Sequence, residues 1–156
     1  MGNNFNSKNY WETRYKGKGN SGAGSYGVEA DFKSKYINTI INDNNIKTIN
    51  DFGSGDSNQI GLITGFDKYT GFDVSATALT ICRNKFKDND KYDFVSSVSD
   101  MTIADMTISL DVTYHIIEDE YFKKQIFYYC RLLISSDGEI HPNEQLLLMK
   151  LKDFSS

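Results

Sequence analysis

Between Val28 and Ile41 the apolar residues Val28, Phe32, Tyr36, Ile37, Ile40 and Ile41 recur at helical spacing, and Asp43, Asn44 and Asn45 close that helix. "IKTIND" then reads as a short buried strand bounded by Gly53, and a short helix is predicted from near Ser57, with Ile60 and Ile63 inward. "KYTGFDV" is a second strand. "SATALTICRNKFK" is a helix with Ser75 as its N-cap and with Leu79, Cys82 and Phe86 on one face. "KYDFVSSV" and "DMTISLDV" are a third and a fourth strand. "EDEYFKKQIFYYCRLLI" is a helix turning Phe122, Ile126, Tyr129, Cys130 and Leu133 inward. After Pro142, "QLLLMKL" is too short for its period to separate strand from helix. The chain before Gly27, including "YWETRYKGKGNSGAGSY", is polar and aromatic, then rich in Gly and Ser. It reads as a flexible arm or lid over residues 1–26, leaving 27–156 as one domain.

Alternating strands and helices with short loops imply an α/β fold: a Rossmann-like, doubly wound, mainly parallel sheet flanked by helices. Ligands of such sheets sit at the carboxyl ends of the strands. At 156 residues, with 39% hydrophobic and 13% aromatic residues, the chain has the composition of one folded domain. Its net charge of −4 argues against a nucleic-acid or anionic-membrane surface, both of which need clustered cations. No apolar run approaches the roughly 20 residues of a membrane span. The N-terminus has no apolar signal core, and Asn6 stands where a myristoylation pattern wants Ser or Thr. Cys82 and Cys130 lie far apart and read as free thiols of a cytoplasmic protein.

The chemistry centres on "INDFGSGDSNQI", where Gly53 and Gly55 follow the first strand between Asp51 and Asp56. A P-loop would need Gly-Lys-Ser/Thr, and residues 53–58 contain no lysine. A dinucleotide loop needs a third glycine where Asn58 stands. A carboxylate at Asp51 would repel a pyrophosphate by roughly 1 to 4 kcal/mol in a wet site and would attract a cation. S-adenosylmethionine (SAM), with an ammonium and a sulfonium on an adenosine, fits these charges better. Asp73 ends the second strand about twenty residues on, where an acid accepts ribose hydroxyls.

These residues carry a resemblance to the class I SAM-dependent methyltransferases. "INDFGSGDSNQI" resembles their first motif, "YTGFDVSATAL" their second, and "ADMTISLDVTYHIIEDEYF" the segment through the fourth strand. "YWETRYKGKGNSGAGSYG" resembles the opening of a small subgroup with Trp-Glu, Arg-Tyr and Ser-Gly-x-Gly-Ser. The resemblance implies that Asp51, Gly53 and Gly55 shape the methionine-side pocket, that Asp73 holds the ribose and that Val74 packs on the adenine. It places Ser97, Val98 and Asp100 at the adenine edge and Asp111 near the methionine end. Tyr10, Trp11 and Arg14 belong to an arm closing over the cofactor. Two departures stand out. The glycine that often follows the first two is Ser57, whose hydroxyl is expected to cap the following helix. Members usually have seven strands, whereas after Ile134 there is length for roughly one or two more, so the sheet is expected to be C-terminally shortened.

Methyl transfer needs positioning and sometimes a base. His115 is the histidine nearest the expected site and is the candidate base. Asp111, His115 and Asp119 could hold a metal, but Glu118, Asp119 and Glu120 read as solvated acids at a helix start, so no metal is expected. The single proline excludes the Pro-Pro motif of amino-group methyltransferases acting on bases, and no Pro-Cys nucleophile is present. The expected activity is methyl transfer to a small molecule or sugar. The alternatives are a SAM-binding module without an acceptor site and a nucleotide-dependent oxidoreductase. An uncovered strand edge near the C-terminus would favour a homodimer burying Leu146, Leu147, Leu148 and Met149.

Overall fold

A computed structural model describes residues 6–112. Helix α1 (Ser7–Lys16) is capped by Asn6, whose side chain accepts from the amide of Asn9 at 2.8 Å. A single 3-10 turn (Ala23–Ser25) leads into α2 (Gly27–Asp43). Strand β1 (Thr48–Phe52) is followed by a loop holding one 3-10 turn (Ile60–Leu62), then by β2 (Lys68–Phe72). Helix α3 (Ala76–Lys85), β3 (Tyr92–Val95), a 3-10 turn (Val98–Asp100) and β4 (Met106–Ile108) complete the described part.

All strand pairs are parallel, in the order β3-β2-β1-β4. Because the described strands run parallel, the ends carrying Phe52, Phe72 and Ile108 open on one rim. Asp105 pins the start of this register. Its carboxylate accepts from the amides of Lys47 (2.9 Å) and Thr48 (2.8 Å) and from the Thr48 hydroxyl (2.9 Å), which hold its pKa below the usual value. One face of the sheet, with Ile49, Tyr69, Phe94 and Ile108, packs on Ile37 and Ile41 of α2 and on Leu79 and Cys82 of α3.

Three expectations change. Residues 7–16, read as part of an unpacked arm, form α1 and bury Tyr15. No α-helix starts near Ser57. Its φ is +54°, in the left-handed region, which no helix entry uses and which costs a side-chain-bearing residue about 1 kcal/mol. Ile60 and Ile63 are nevertheless buried as expected. Finally, α2 turns inward only part of the expected stripe, Ile37 and Ile41. Ala30, Ser34, Ile37 and Ile41 are buried, while Val28, Phe32 and Tyr36 are 82%, 74% and 67% exposed. The small residues win because Gln59 docks there, donating through Nε2 to the Ala30 carbonyl (3.0 Å) and to Ser34 Oγ (2.7 Å). A phenylalanine at either place would push that loop away. The Ser75 cap is as expected, accepting from the Ala78 amide at 3.1 Å. His115, Cys130, the helix expected at 118–134 and the C-terminal segment with Leu146–Met149 lie outside the described residues, as does the expected shortening of the sheet.

Candidate functional site

The glycine loop leaves the end of β1 where an α/β sheet binds ligands. Gly53 (φ +82°) and Gly55 (φ +55°) take conformations that favour glycine, and Gly55 has a second reason. A Cβ there would meet the Tyr15 hydroxyl at 2.8 Å and would strike the Ser21 hydroxyl. The turn is wound so tightly that its own groups use its amides. Gly53 and Ser54 both donate to the Phe72 carbonyl (2.8 and 3.0 Å), and Ser57 donates to the Ser54 carbonyl (2.9 Å). Gly55 donates to Asp73 Oδ2 (2.9 Å), Asp56 to Ser21 Oγ (3.0 Å) and Asn58 to Asp56 Oδ1 (3.1 Å). Beneath the loop the Cys82 thiol donates to the Gly55 carbonyl (3.0 Å) and lies 3.1 Å from Ser57 Oγ. Burial pushes that thiol's pKa up to about 12, so Cys82 is a structural donor and no nucleophile. The Ser57 hydroxyl thus bonds downward to Cys82 and caps no helix, contrary to expectation.

Asp51 is buried on the sheet face that carries Tyr69, whose hydroxyl donates to Asp51 Oδ2 at 2.8 Å. Oδ1 is buried without a hydrogen-bond partner. Desolvation pushes the Asp51 pKa up to about 7, against the bond from Tyr69, which lowers it. Asp73, at the end of β2, is buried as well. Oδ2 takes the Gly55 amide and Oδ1 takes the Ser75 amide (2.8 Å), while burial raises its pKa. Val74 is exposed beside it. Asp73 therefore holds the turn before the Ser75 cap and links the β1 and β2 loops.

Other expected residues separate into groups. Tyr10, Trp11 and Arg14 come together on α1. The Trp11 ring meets Tyr10 edge-on (5.3 Å) and stacks on Tyr15 (5.9 Å), and the Arg14 guanidinium lies 5.6 Å from the Trp11 centroid. Arg14 also donates through Nε to the Asn20 carbonyl at 2.6 Å, closing the turn after α1. Ser97, Val98 and Asp100 form an exposed turn after β3, in which Ser97 Oγ accepts from the Ser99 amide at 3.3 Å. Asp111, just beyond β4, has φ +59° and is paired with Lys33 of α2, so its charge is already balanced.

Two acids that sequence reasoning did not assign prove central. Glu12 reaches from α1 to the N-terminus of α3, accepting from the hydroxyls of Ser75 and Thr77 (both 2.7 Å) and from the Thr77 amide (3.2 Å). These donors, led by Ser75, lower its pKa to about 2. Asp56 accepts at Oδ2 from the Ser21 amide (2.9 Å) and from the Tyr26 hydroxyl (2.7 Å). The only available signal was the position of Asp56 directly after Gly-x-Gly. Its partners lie 30 and 35 residues upstream. Elsewhere, a surface cavity of about 680 Å³ at the opposite, N-terminal end of β3 is lined by residues including Arg83, Phe86 and Asp93, and none of the site residues reaches it. Among the described residues no group of three or more His, Cys, Asp or Glu could hold a metal, and no helix is long and apolar enough to cross a membrane.

No family model matches the sequence, and no curated protein matches it. Among solved structures the chain is similar to magnesium protoporphyrin IX methyltransferase from Synechocystis PCC 6803 with bound SAM. The identity is 16% and the TM-score 0.53, over 85% of this chain and 74% of that one. The same enzyme with bound SAH gives 16% and 0.52, over 81% and 68%. A SAM-dependent methyltransferase from Clostridium acetobutylicum ATCC 824 is 24% identical with a TM-score of 0.49, and this chain spans 42% of its length. The parallel sheet flanked by helices, with a glycine loop after its first strand, is a class I methyltransferase fold.

Proposed function

We propose that this chain is a SAM-dependent methyltransferase that binds its cofactor across the ends of β2, β1 and β4. The observation that carries the reading is the state of the glycine loop. Every amide from Gly53 to Asn58 already has an acceptor, while the neighbouring Oδ1 of Asp51 is a buried acceptor without a donor. A phosphate site needs the reverse: free N–H groups and no anion. The loop therefore suits a ligand with a cationic, hydrogen-donating end, which disfavours the dinucleotide of an oxidoreductase. Likeness of fold to a methyltransferase solved with SAM supports the same reading.

SAM would supply a methyl group made electrophilic by its sulfonium. The chain's part is to bind and orient. Asp51, Gly53 and Gly55 would form the amino-acid side. Asp73 already accepts two amides, but a carboxylate has about four lone-pair sites, so ribose hydroxyls can still be accepted. Val74 offers an apolar face to the adenine, and Ser97, Val98 and Asp100 its edge. Asp111, neutralised by Lys33, is better suited to shaping the rim than to holding a cation. Tyr10, Trp11 and Arg14 would cover the cofactor as part of a lid over residues 1–26. The proposed acceptor is a small molecule or sugar, in keeping with the net charge of −4. His115 is the proposed base, and His115→Ala should lower turnover without changing cofactor affinity.

Calorimetry with SAM, SAH and nicotinamide dinucleotides tests the assignment. The first two should bind and the dinucleotides should not. Dinucleotide binding without a response to SAM would sink it.

A further inference from the structure

We infer that Asp56 is a positioning residue: it holds residues 21–26 as a preformed wall over the amino-acid end of the cofactor site. The inference rests on the SAM reading above and adds a residue with a distinct task. The Asp56 carboxylate takes the Ser21 amide and the Tyr26 hydroxyl, one at each end of the segment, and the Asp56 amide returns a bond to Ser21 Oγ. Ser21 Oγ also lies 2.9 Å from the Tyr15 hydroxyl, tying the segment to α1. Asn58 closes the clasp by donating from Nδ2 to the Ser25 carbonyl at 2.7 Å.

The clasp decides where the segment lies. Asp56 belongs to the loop after β1, and Gly24 lies against Asp111 beyond β4, where a Cβ on Gly24 would meet Asp111 Oδ2 at 2.5 Å. Residues 21–26 therefore cover the β1–β4 half of the rim, while Asp73 and Val74 occupy the β2 side. A ligand whose nucleoside end rests at Asp73 must point its other end beneath this segment.

The energetic reason for a clasp lies in the composition. Residues 17–27 include five glycines, Gly17, Gly19, Gly22, Gly24 and Gly27, so an untethered segment has high entropy. If ligand binding had to order it, that cost would be taken from affinity. With Asp56 in place the wall is already ordered.

The test compares SAH, which has the amino-acid end, with 5′-methylthioadenosine, which lacks it. Asp56→Ala should weaken SAH about tenfold or more, and Tyr26→Phe, which leaves the glycine loop untouched, by about threefold. Both variants should bind 5′-methylthioadenosine within about twofold of the parent chain. Without ligand, proteolysis between residues 17 and 26 should be faster in Asp56→Ala than in the parent. Equal weakening of the two ligands by Tyr26→Phe would overturn the inference, because Asp56 would then support the whole site. Unchanged SAH affinity in both variants would also overturn it. If the parent chain binds 5′-methylthioadenosine but not SAH, the wall is refuted while the nucleoside site stands; if it binds neither, the cofactor reading itself fails. Should Asp56→Ala not fold, Tyr26→Phe carries the comparison alone.

Discussion

Asp51 sits with one oxygen on Tyr69 and the other buried without a partner, and desolvation pushes its pKa up to about 7 from an ordinary 3.8. The sign of its effect on stability follows. Between about pH 4 and about pH 7 the folded chain keeps a proton that the unfolded chain has lost, so stability falls as pH rises through that window and levels above it. Asp51→Asn cannot titrate. The melting temperature of the parent minus that of Asp51→Asn should therefore decline from about pH 4 towards pH 7 and level off above it; a flat difference throughout would mean that Asp51 is ionised in the folded chain. At Asp73, replacement by Ala should weaken SAM by roughly 1 to 3 kcal/mol, the cost of leaving polar partners unpaired. A folded Asp73→Ala variant of unchanged affinity would reduce Asp73 to a cap. The acids flanking the glycines were legible in sequence, as were the positions of Asp51 and Asp73 at strand ends. That Asp56 is a clasp was not, because its partners are set by how residues 21–26 fold back.

Helix α1 is the element whose behaviour the sequence least announced. It is polar all round apart from its aromatic cluster, so no apolar stripe signalled packing. It docks instead through Glu12 at the N-terminus of α3, where free amides and the helix dipole favour a carboxylate. The depressed pKa of Glu12 makes its contribution present above about pH 4.5 and lost as the pH falls towards about 2. Glu12→Ala should speed hydrogen exchange in residues 7–16 while leaving β1 and β2 protected; unchanged exchange in α1 would show that its aromatic residues suffice. As a proposed lid hinged before the wall at residues 21–26, the chain from Tyr10 to Asn20 should be cleaved more slowly by protease with SAM than without, and equal rates would refute closure on the cofactor. For α2 the period was legible in the sequence, as was half of the buried stripe, Ile37 and Ile41. Helical spacing fits more than one continuation when Val28, Phe32 and Tyr36 compete with Ala30 and Ser34, and the choice fell to the neighbouring Gln59.

Across the whole molecule, ligand binding to the folded state alone should raise stability by about 2.7 kcal/mol at a hundredfold excess over Kd. A thermal shift with SAM and none with a nicotinamide dinucleotide is expected, and the reverse pattern would point to the oxidoreductase. The order of the four strands with α2 and α3, and the placing of Gly53, Gly55, Asp51 and Asp73 at the strand ends, follow from the sequence itself, because apolar period, capping and glycine conformations act over a few residues; α1 and the loop without an α-helix after Ser57 do not. The parallel pairing of β2 with β3 follows too, since the crossing helix α3 leaves little choice of direction, whereas β1 and β2 pair in parallel across a loop with a single 3-10 turn. Tertiary structure alone decided that Ser57 would take a left-handed turn over Cys82, that Ala30 and Ser34 would face the core, and that Glu12 and Asp56 would tie the N-terminal segment to α3 and to the glycine loop. Such contacts join residues 25 to 65 positions apart. Which donor meets which acceptor over that span is chosen by the packing of the elements between them, and no local period records it.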